Sequence, residues 1–250
     1  MLANFSLYSR YYNLLYNDKD YDGEVAYVVR LILADFKEAS AILELGSGTG
    51  KHALSLKGLG FTVYGIERSE SMVNEAIKNG IDCQVADICK FDLGRTFDAV
   101  ISLFHVISYL TSNDELIDAF DNANRHLKNG GIFLFDVWYS PAVYEQKALP
   151  RIKQMKNSEI EVTRIAEPVL EINRNVVDVG FTVLVKDLKT NQLVDFNELH
   201  PMRHFSIPEI SLLAQFCGFK LLKSEEFLTG NVPSANTWGV CFVLQKTKDV

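Results

Sequence analysis

The run AILELGSGTGK, residues 41–51, decides the fold. Its first five residues are apolar apart from Glu44, and a glycine-rich turn follows them. A buried parallel strand that ends at glycine and continues as a helix places a crevice at its carboxyl end. Glycine lets the backbone turn sharply and approach a ligand closely. The run therefore predicts a strand, a turn and a helix that border a nucleotide-binding crevice, with Glu44 facing it.

The spacing of the glycines in GSGTG, residues 46–50, separates the ligand classes. A dinucleotide site has G-x-G-x-x-G, and this turn lacks that third position. A P-loop has Ser or Thr after its Gly-Lys pair, but here His52 follows Lys51, so the Mg²⁺-binding hydroxyl is missing. Glu44 would repel a phosphate and suits a ligand with a cationic group. A plain strand-to-helix turn and an NAD site remain as alternatives.

Composition limits the class of protein. With 250 residues, 48% of them hydrophobic, the chain can form one large globular domain. The 32 acidic residues exceed the 25 Lys and Arg, which gives a net charge of −7. No basic stripe is visible, so a sequence-independent grip on nucleic acid or on an anionic membrane is not expected.

Targeting and redox signals point to the cytoplasm. Residues 1–12, MLANFSLYSRYY, show no charged start followed by an apolar core, so no signal peptide is predicted. No apolar run approaches the length that spans a membrane. The cysteines form no C-x-x-C pair and lie among apolar neighbours, so we expect reduced core thiols and no metal site. They are Cys83, Cys89, Cys217 and Cys241.

The first half of the chain alternates strand and helix patterns. Strands are predicted at 41–45, 61–66, 81–86, 97–103 and 132–137, and helices at 51–59, 70–78 and 113–127. Asn113 is the predicted cap of the last of these helices. Such repetition predicts an α/β fold, a doubly wound, mostly parallel sheet with right-handed crossovers.

The pattern changes between about 158 and 205, where apolar and polar residues alternate without a helical period. This predicts antiparallel strands with a tight turn at residues 189–191. A helix at 208–217 and strands at 220–225 and 238–245 then complete a seven-stranded sheet. We therefore predict a single domain with a β-rich insertion before the last helix. Its parts are a helical cap (1–37), a cofactor-binding core (41–140), a β-rich lid over the crevice (151–206) and a return to the core sheet (207–250).

Acidic residues follow three successive strands. Glu67 ends the second strand about twenty residues after the glycine turn, where an acid can accept two hydrogen bonds from a ribose. Asp87 follows the third strand. Each acid alone could be a helix or turn cap. Together with Glu44 they form a more specific signal for a nucleoside ligand than any one of them does.

His105 lies after the fourth strand, in the run SLFHVISYL, residues 102–110. An imidazole titrates near neutral pH and can take the proton of an attacking hydroxyl or ammonium group. We predict that His105 is the general base. The alternative is a hydrogen-bonded structural histidine at a junction between strand and loop.

These motifs carry a resemblance to known families. The pattern E-x-G-x-G-x-G after a strand resembles the first motif of the S-adenosylmethionine (SAM) methyltransferases with a Rossmann-like sheet. YNLLY (12–16), KDY (19–21), SLFHVISYL and DVWYSP (136–141) add a similarity to the N-methyltransferases of nucleotide-linked amino sugars. This second resemblance covers about residues 11–245.

The resemblance implies SAM as the cofactor and assigns residues to it. The implied SAM-binding residues are Tyr16, Tyr21, Glu44, Gly46, Ser47, Gly48, Gly50, Glu67, Arg68, Met72, Asp87, Ile88 and Leu103. The implied acceptor-binding residues are Tyr12, Tyr16, Phe104, His105, Tyr109, Trp138, Tyr139 and Arg203. Asp87 would accept from the adenine amine, and Arg203 would bind a phosphate or a sugar hydroxyl. Glu44 stands where Asp is commoner and His105 where Ser is commoner in the family.

The predicted activity is methyl transfer from SAM to nitrogen or oxygen of a small molecule, most simply a nucleotide-linked sugar. Direct displacement at the methyl carbon depends mainly on alignment, which can supply roughly 7–11 kcal/mol. Methylation of another small metabolite and a SAM-binding protein without activity are the alternatives. We expect a small-molecule acceptor, no nucleic-acid or membrane partner, and a homodimer in the cytoplasm.

Overall fold

The computed structural model describes residues 11, 14, 15 and 19–247. Its chain divides into two compact units. The larger unit comprises Tyr21–Gln146 and the described residues from Arg203 onward. The smaller unit comprises Lys147–Met202 with the described residues before Tyr21. None of the helices in these described ranges is long and apolar enough to cross a membrane.

The larger unit is built on a mostly parallel sheet. Its strands are β1 (Ala41–Leu45), β2 (Thr62–Glu67), β3 (Asp82–Val85), β4 (Phe97–Ser102), β5 (Leu127–Tyr139), β10 (Phe219–Glu226) and β11 (Gly239–Lys246). The order is β3-β2-β1-β4-β5, followed by β11 and then β10. The first five strands run parallel, and β11 is antiparallel to both of its neighbours. The order in which successive strands are added reverses between β1 and β4, and this switch makes a crevice at their carboxyl ends.

Six helices accompany these strands. They are α1 (Tyr21–Asp35), α2 (Lys51–Gly58), α3 (Glu70–Lys78), α4 (Asn113–Arg125), α5 (Ser140–Gln146) and α6 (Ile207–Phe216). Two apolar cores form because strand side chains alternate between the faces of a sheet. One core contains Phe120 of α4 against Phe133 and Phe135 of β5. The other contains Val28 of α1 with Ile101 of β4, so the sheet is covered on both sides as predicted.

The smaller unit consists of antiparallel strands. They are β6 (Arg151–Lys156), β7 (Ile160–Glu171), β8 (Val176–Asp187) and β9 (Leu193–Phe205), the last of which continues into the larger unit. The predicted turn at 189–191 is present, and Asp187 Oδ1 accepts from the backbone N–H groups of Lys189 and Thr190. The last two residues of β9 pair with Trp138 and Tyr139 of β5. Among the described residues the hydrogen-bonded sheet has eleven strands, with β9 and β11 both pairing with β5. The sequence predicted a seven-stranded sheet with a β-rich insertion, so the strand count of the sheet is higher than predicted.

Local sequence signals explain most element ends, with two corrections. Ser112, not Asn113, caps α4. Its hydroxyl accepts from the Glu115 backbone N–H, and the Glu115 side chain accepts in return from the Ser112 backbone, a capping box. Strand β5 begins at Leu127 rather than at residue 132 because Leu127 pairs with Phe97 before a register shift. The glycines at 130 and 131 therefore lie within the strand.

Candidate functional site

The glycine turn after β1 shapes the floor of the crevice. Gly46, Gly48 and Gly50 have φ angles of +73°, +55° and +78°, which side chains rarely adopt. A Cβ on Gly46 would lie 2.6 Å from the Val106 side chain, so that glycine is needed for packing. A Cβ on Gly48 would meet nothing within 4 Å. The middle glycine therefore borders open space, where a ligand can reach the backbone.

Glu67 ends β2 with its carboxylate fixed by the backbone. Oε2 accepts from the Gly48 N–H at 3.1 Å, and Oε1 accepts from the Ser69 N–H at 2.8 Å. A carboxylate has about four acceptor positions, so each oxygen keeps capacity for another hydrogen bond. The residue is 9% exposed, at the edge of the open space beside Gly48. This geometry fits the predicted acceptance of two ribose hydroxyls.

Glu44, the last residue but one of β1, belongs to a buried network of polar side chains that the sequence did not predict. The Ser47 hydroxyl donates to Glu44 Oε2 at 2.7 Å, and His52 Nδ1 lies 3.6 Å from Glu44 Oε1. His52 Nε2 lies 2.7 Å from Glu24 Oε2 in α1. All four side chains belong to buried residues. This network of side chains holds Glu44 in place and links α1 to α2. The only sequence signals for the network were an acid in α1 and a histidine after the glycine turn.

The electrostatic environment of the crevice floor is negative. Cys83 of β3 lies below Gly65, where an added Cβ would come within 2.9 Å of its sulfur. Burial, together with the charges of Glu44 and Glu67, raises the pKa of the Cys83 thiol to about 11. The same charges that oppose a thiolate favour a cationic ligand.

Asp87 and Ile88 lie in the turn after β3. Asp87 is exposed, and its Oδ1 accepts from the Cys89 N–H at 2.9 Å. The Ile88 carbonyl accepts from the side-chain amide of Asn122 in α4 at 3.0 Å. The acid thus caps its own turn, and a carboxylate can do so while accepting a further hydrogen bond. The predicted contact with adenine remains a prediction.

The other predicted SAM-binding residues are placed less specifically. Arg68 is exposed, Met72 is half-buried and Leu103 is buried. The ring of Tyr21 packs edge-on against His52 with centroids 4.9 Å apart. Two further predicted residues, Tyr12 and Tyr16, lie outside the described residues.

The loop after β4 has a strained backbone. Phe104 and His105 both adopt left-handed conformations, with φ of +67° and +60°. Non-glycine residues in this region cost about 1–3 kcal/mol each and are concentrated at functional sites. Phe104 is 40% exposed, while the side chain of His105 is 24% exposed. The loop thus presents an aromatic ring and an imidazole at the carboxyl end of the sheet.

A buried carboxylate of β5 holds His105. Asp136, 1% exposed, accepts from the His105 backbone N–H through Oδ1 at 3.3 Å. Its Oδ2 lies 2.7 Å from His105 Nδ1. No linear hydrogen bond joins these two atoms, so their close contact is electrostatic rather than directional. Sequence reasoning placed Asp136 in a motif but gave it no role, because 31 positions separate the partners.

Aromatic side chains surround this pair. The ring centroid of Trp138 lies 6.3 Å from that of His105, and Phe104 stacks on the imidazole at 6.1 Å. Trp238, which precedes β11, packs edge-on against Trp138 at 5.3 Å and was not predicted. Two tyrosines close to these residues in the sequence are half-buried. Tyr109 lies in the turn after the loop, and Tyr139 is the last residue of β5.

Arg203 and His204 lie where β9 enters the larger unit. The Arg203 guanidinium donates to Glu209 at 2.8 Å and to the Asn113 side chain at 2.9 Å. These contacts weigh against the predicted phosphate role, which remains a prediction. His204 is fully buried, with Nδ1 2.8 Å from the Ser140 hydroxyl. Burial, followed by the neighbouring charge of Arg203, lowers the pKa of His204 to about 4.

The fold and the site together define a doubly wound nucleoside-binding domain with acids at the ends of β1 and β2 and an acceptor-side loop after β4. A family model described as "Methyltransferase domain" matches residues 42–131. A dTDP-3-amino-3,4,6-trideoxy-alpha-D-glucopyranose N,N-dimethyltransferase of Streptomyces venezuelae is 32% identical over 177 residues, 69% of this chain and 74% of that protein. The chain therefore belongs to the class I SAM-dependent methyltransferases.

Two further comparisons agree. A dTDP-4-amino-2,3,4,6-tetradeoxy-D-glucose N,N-dimethyltransferase of Saccharopolyspora spinosa is 26% identical over 85% of this chain and 82% of its own length. An amino pentose methyltransferase of Micromonospora echinaspora, solved with SAM bound, superposes with a TM-score of 0.76 at 25% identity over 96% of each chain. The predicted α/β fold, enzyme class and cofactor are confirmed.

The residues of the crevice fit SAM. The space beside Gly48 would admit the cofactor, the oriented oxygens of Glu67 would suit a ribose diol, and Glu44 would supply negative charge for a cationic methionine portion. When bound, SAM supplies an electrophilic methyl carbon whose bonding electron pair stays on sulfur on transfer. The protein's own part is to bind, to align the acceptor, to exclude water and to move a proton.

Proposed function

We propose that this enzyme methylates the amine of an amino sugar linked to a nucleotide. The observation that carries the proposal is the similarity to curated dTDP-amino-sugar N,N-dimethyltransferases, which extends well beyond the SAM-binding core. The aromatic side chains beside His105 supply apolar rings on the acceptor side. Such rings suit the apolar faces of a deoxysugar and attract an ammonium group.

In this proposal the SAM-binding roles remain as the sequence predicted. Glu67 accepts from the ribose, Asp87 from the adenine amine, and Glu44 faces the methionine portion. Support comes from the fixed carboxylates and the negative crevice floor. Tyr12 and Tyr16 are proposed to complete the site from the N-terminal segment.

His105 is proposed as the group that takes the acceptor's proton. An amine of ordinary basicity is an ammonium ion at neutral pH, and it has no lone pair for attack until it loses that proton. The imidazole is partly exposed, lies beside an aromatic wall and is held by a buried carboxylate. The acceptor would lie against Trp138, Tyr139, Phe104 and Tyr109.

A hydroxyl acceptor is a second candidate, because the His105–Asp136 pair is an arrangement that an alcohol needs more than an amine does. An alcohol holds its proton at neutral pH, so a base must remove it during attack. The relatives favour the amine.

The direct test is turnover with SAM and a panel of dTDP-sugars. The panel should include 3-amino and 4-amino deoxysugars, each paired with the sugar that carries hydroxyl at the same carbon. S-adenosylhomocysteine formation would be followed by liquid chromatography. We expect product with at least one amino sugar and a mass increase of one or two methyl groups.

The variant Gly48→Val, which blocks the space for SAM, serves as the inactive control. Turnover only with hydroxyl sugars would favour the second candidate. SAM binding with no turnover across the panel would contradict the proposed acceptor class.

Light scattering of the same preparation would test the proposed homodimer. Fractionation of the source cells would test the proposed cytoplasmic location.

A further inference from the structure

The carboxylate of Asp136 is buried beneath the loop that carries His105. It contacts that residue twice, through the backbone N–H and through Nδ1. Asp136 lies on β5, in the middle of the sheet, whereas His105 lies on a strained loop. A rigid strand therefore fixes a group that the loop alone would leave free to rotate.

The contact at 2.7 Å determines which ring nitrogen carries the proton. A lone pair on Nδ1 would be repelled by a carboxylate oxygen at this distance, whereas an N–H on the same atom would be attracted even where the angle is not that of a linear hydrogen bond. The proton therefore lies on Nδ1 in the neutral ring. The lone pair is then on Nε2, across the ring from Asp136, and Nε2 becomes the atom that can accept a proton.

We propose that Asp136 is a positioning residue that fixes the Nδ1–H tautomer of His105 and so makes Nε2 the base toward the acceptor. The proposal deepens the proposed function and rests on it for the identity of the acceptor and for the role of His105 as its base. In the reaction Nε2 takes a proton from the acceptor ammonium, and the freed lone pair forms the bond to the methyl carbon as the carbon–sulfur bond breaks. The imidazolium is stabilised by Asp136 and later returns its proton to water.

Packing holds the ring in the same orientation. Phe104 stacks on the imidazole at an interplanar angle of 22°, and Trp138 meets it at 73°. An added Cβ on Gly239 of β11 would lie 3.4 Å from His105 Cε1, so the backbone of that strand runs close to this side of the ring. These neighbours limit the ring flips that would exchange the positions of Nδ1 and Nε2. Asp136 then determines which of the two nitrogens carries the proton.

The first test needs no acceptor, and it reads the tautomer in the wild-type protein, with a variant used only for assignment. Nitrogen-15 NMR of the wild-type protein above pH 8, with the His105 signal assigned by its loss in His105→Ala, reports the tautomer. The chain contains five histidines, so the assignment is tractable. We expect a protonated Nδ1 and an unprotonated Nε2. A protonated Nε2 in the wild type would overturn the proposal, whatever the acceptor proves to be.

The second test is a double-mutant cycle on turnover with an accepted sugar. Asp136→Asn keeps the shape but presents an amide, which can donate to Nδ1 and favour the other tautomer. We expect it to lower kcat roughly 10²-fold in the wild type, at the lower end of the range for general-base help, and less than about threefold in the His105→Ala background, with SAM affinity unchanged. Equal losses in both backgrounds would show that Asp136 does not act through His105 and would overturn the proposal.

Asp98→Asn is the matched control. Asp98 is also a buried sheet carboxylate, but it binds Lys128 and the backbone of Ser40 and Ala41 instead of the loop after β4. It should leave the His105 tautomer unchanged. A changed tautomer in this control would assign the effect to general disturbance of the sheet and contradict a specific role for Asp136.

Discussion

At the scale of single residues, backbone groups orient the side chains of the site, and Glu67 is the clearest case. Both oxygens of Glu67 accept from backbone N–H groups, so the carboxylate is aimed before a ligand arrives. A group held in this way loses little conformational freedom on binding. The two acids, Glu44 and Glu67, could be predicted from the sequence because each lies in the last two residues of an apolar strand.

Replacing Glu67 tests the ribose contact. Hydrogen bonds to a charged group contribute about 1.5–3 kcal/mol, so Glu67→Ala should weaken SAM binding by roughly 10–150-fold in calorimetry. The control is Glu70→Ala, which removes an exposed acid three residues later. An unchanged affinity for Glu67→Ala, in a protein that remains folded, would contradict the assignment.

The buried His204 predicts a pH dependence of stability. Its pKa is lowered to about 4, so between pH 6.5 and 4 the unfolded chain binds more protons than the folded one. The free energy of unfolding should therefore fall as pH is lowered through this window, by at most on the order of 3 kcal/mol. Urea titrations of wild type and His204→Leu should show a shallower pH slope in the variant. Identical slopes would refute the buried neutral state.

Elements place these residues at one edge of the sheet. The glycine turn, the α2 start and the acid after β2 could be predicted because their signals are local. The His105–Asp136 and Glu24–His52 contacts could not, since each joins residues about thirty positions apart whose meeting depends on how the strands and helices pack. The capping residue of α4 was misplaced by one position because both Ser112 and Asn113 are good caps.

The glycine turn after β1 leads to a prediction about SAM binding. Gly48→Val should abolish detectable SAM binding, because the side chain would fill the space beside the turn and strain a positive φ. Circular dichroism should stay close to wild type. Gly60→Val is the matched control, since Gly60 also has a positive φ and open space but lies at the end of α2. Normal SAM binding by Gly48→Val would reduce the turn to a structural connection.

The capping box of α4 predicts a stability effect without a functional one. Ser112→Ala removes a bond to the Glu115 N–H and should cost about 1 kcal/mol, or roughly 2–4 °C in Tm for a chain of this size. Ser69 also occupies a helix cap, on α3, but its side chain makes no capping bond, so Ser69→Ala should cost less. Calorimetric scans would compare them. Equal losses would contradict the importance of the box.

The chain combines a mostly parallel α/β sheet with a unit of antiparallel strands. Alternation in the sequence was enough to predict antiparallel strands in this unit. It was not enough to predict that β9 would end by pairing with β5, because two residue pairs leave no local pattern. The net charge of −7 excludes little by itself, but the acidic crevice floor agrees with a cationic methyl donor.

The central claim is that a methyl group passes from SAM to a sugar amine. The most direct measurement uses SAM labelled with carbon-13 in the methyl group and a pair of dTDP-deoxysugars that differ only by amino or hydroxyl at one carbon. The carbon chemical shift separates methyl on nitrogen from methyl on oxygen. We predict a methylamine signal with the amino sugar and no product with its hydroxyl partner. A methyl ether from the hydroxyl sugar, or no labelled product from any amino sugar in the panel, would contradict the account.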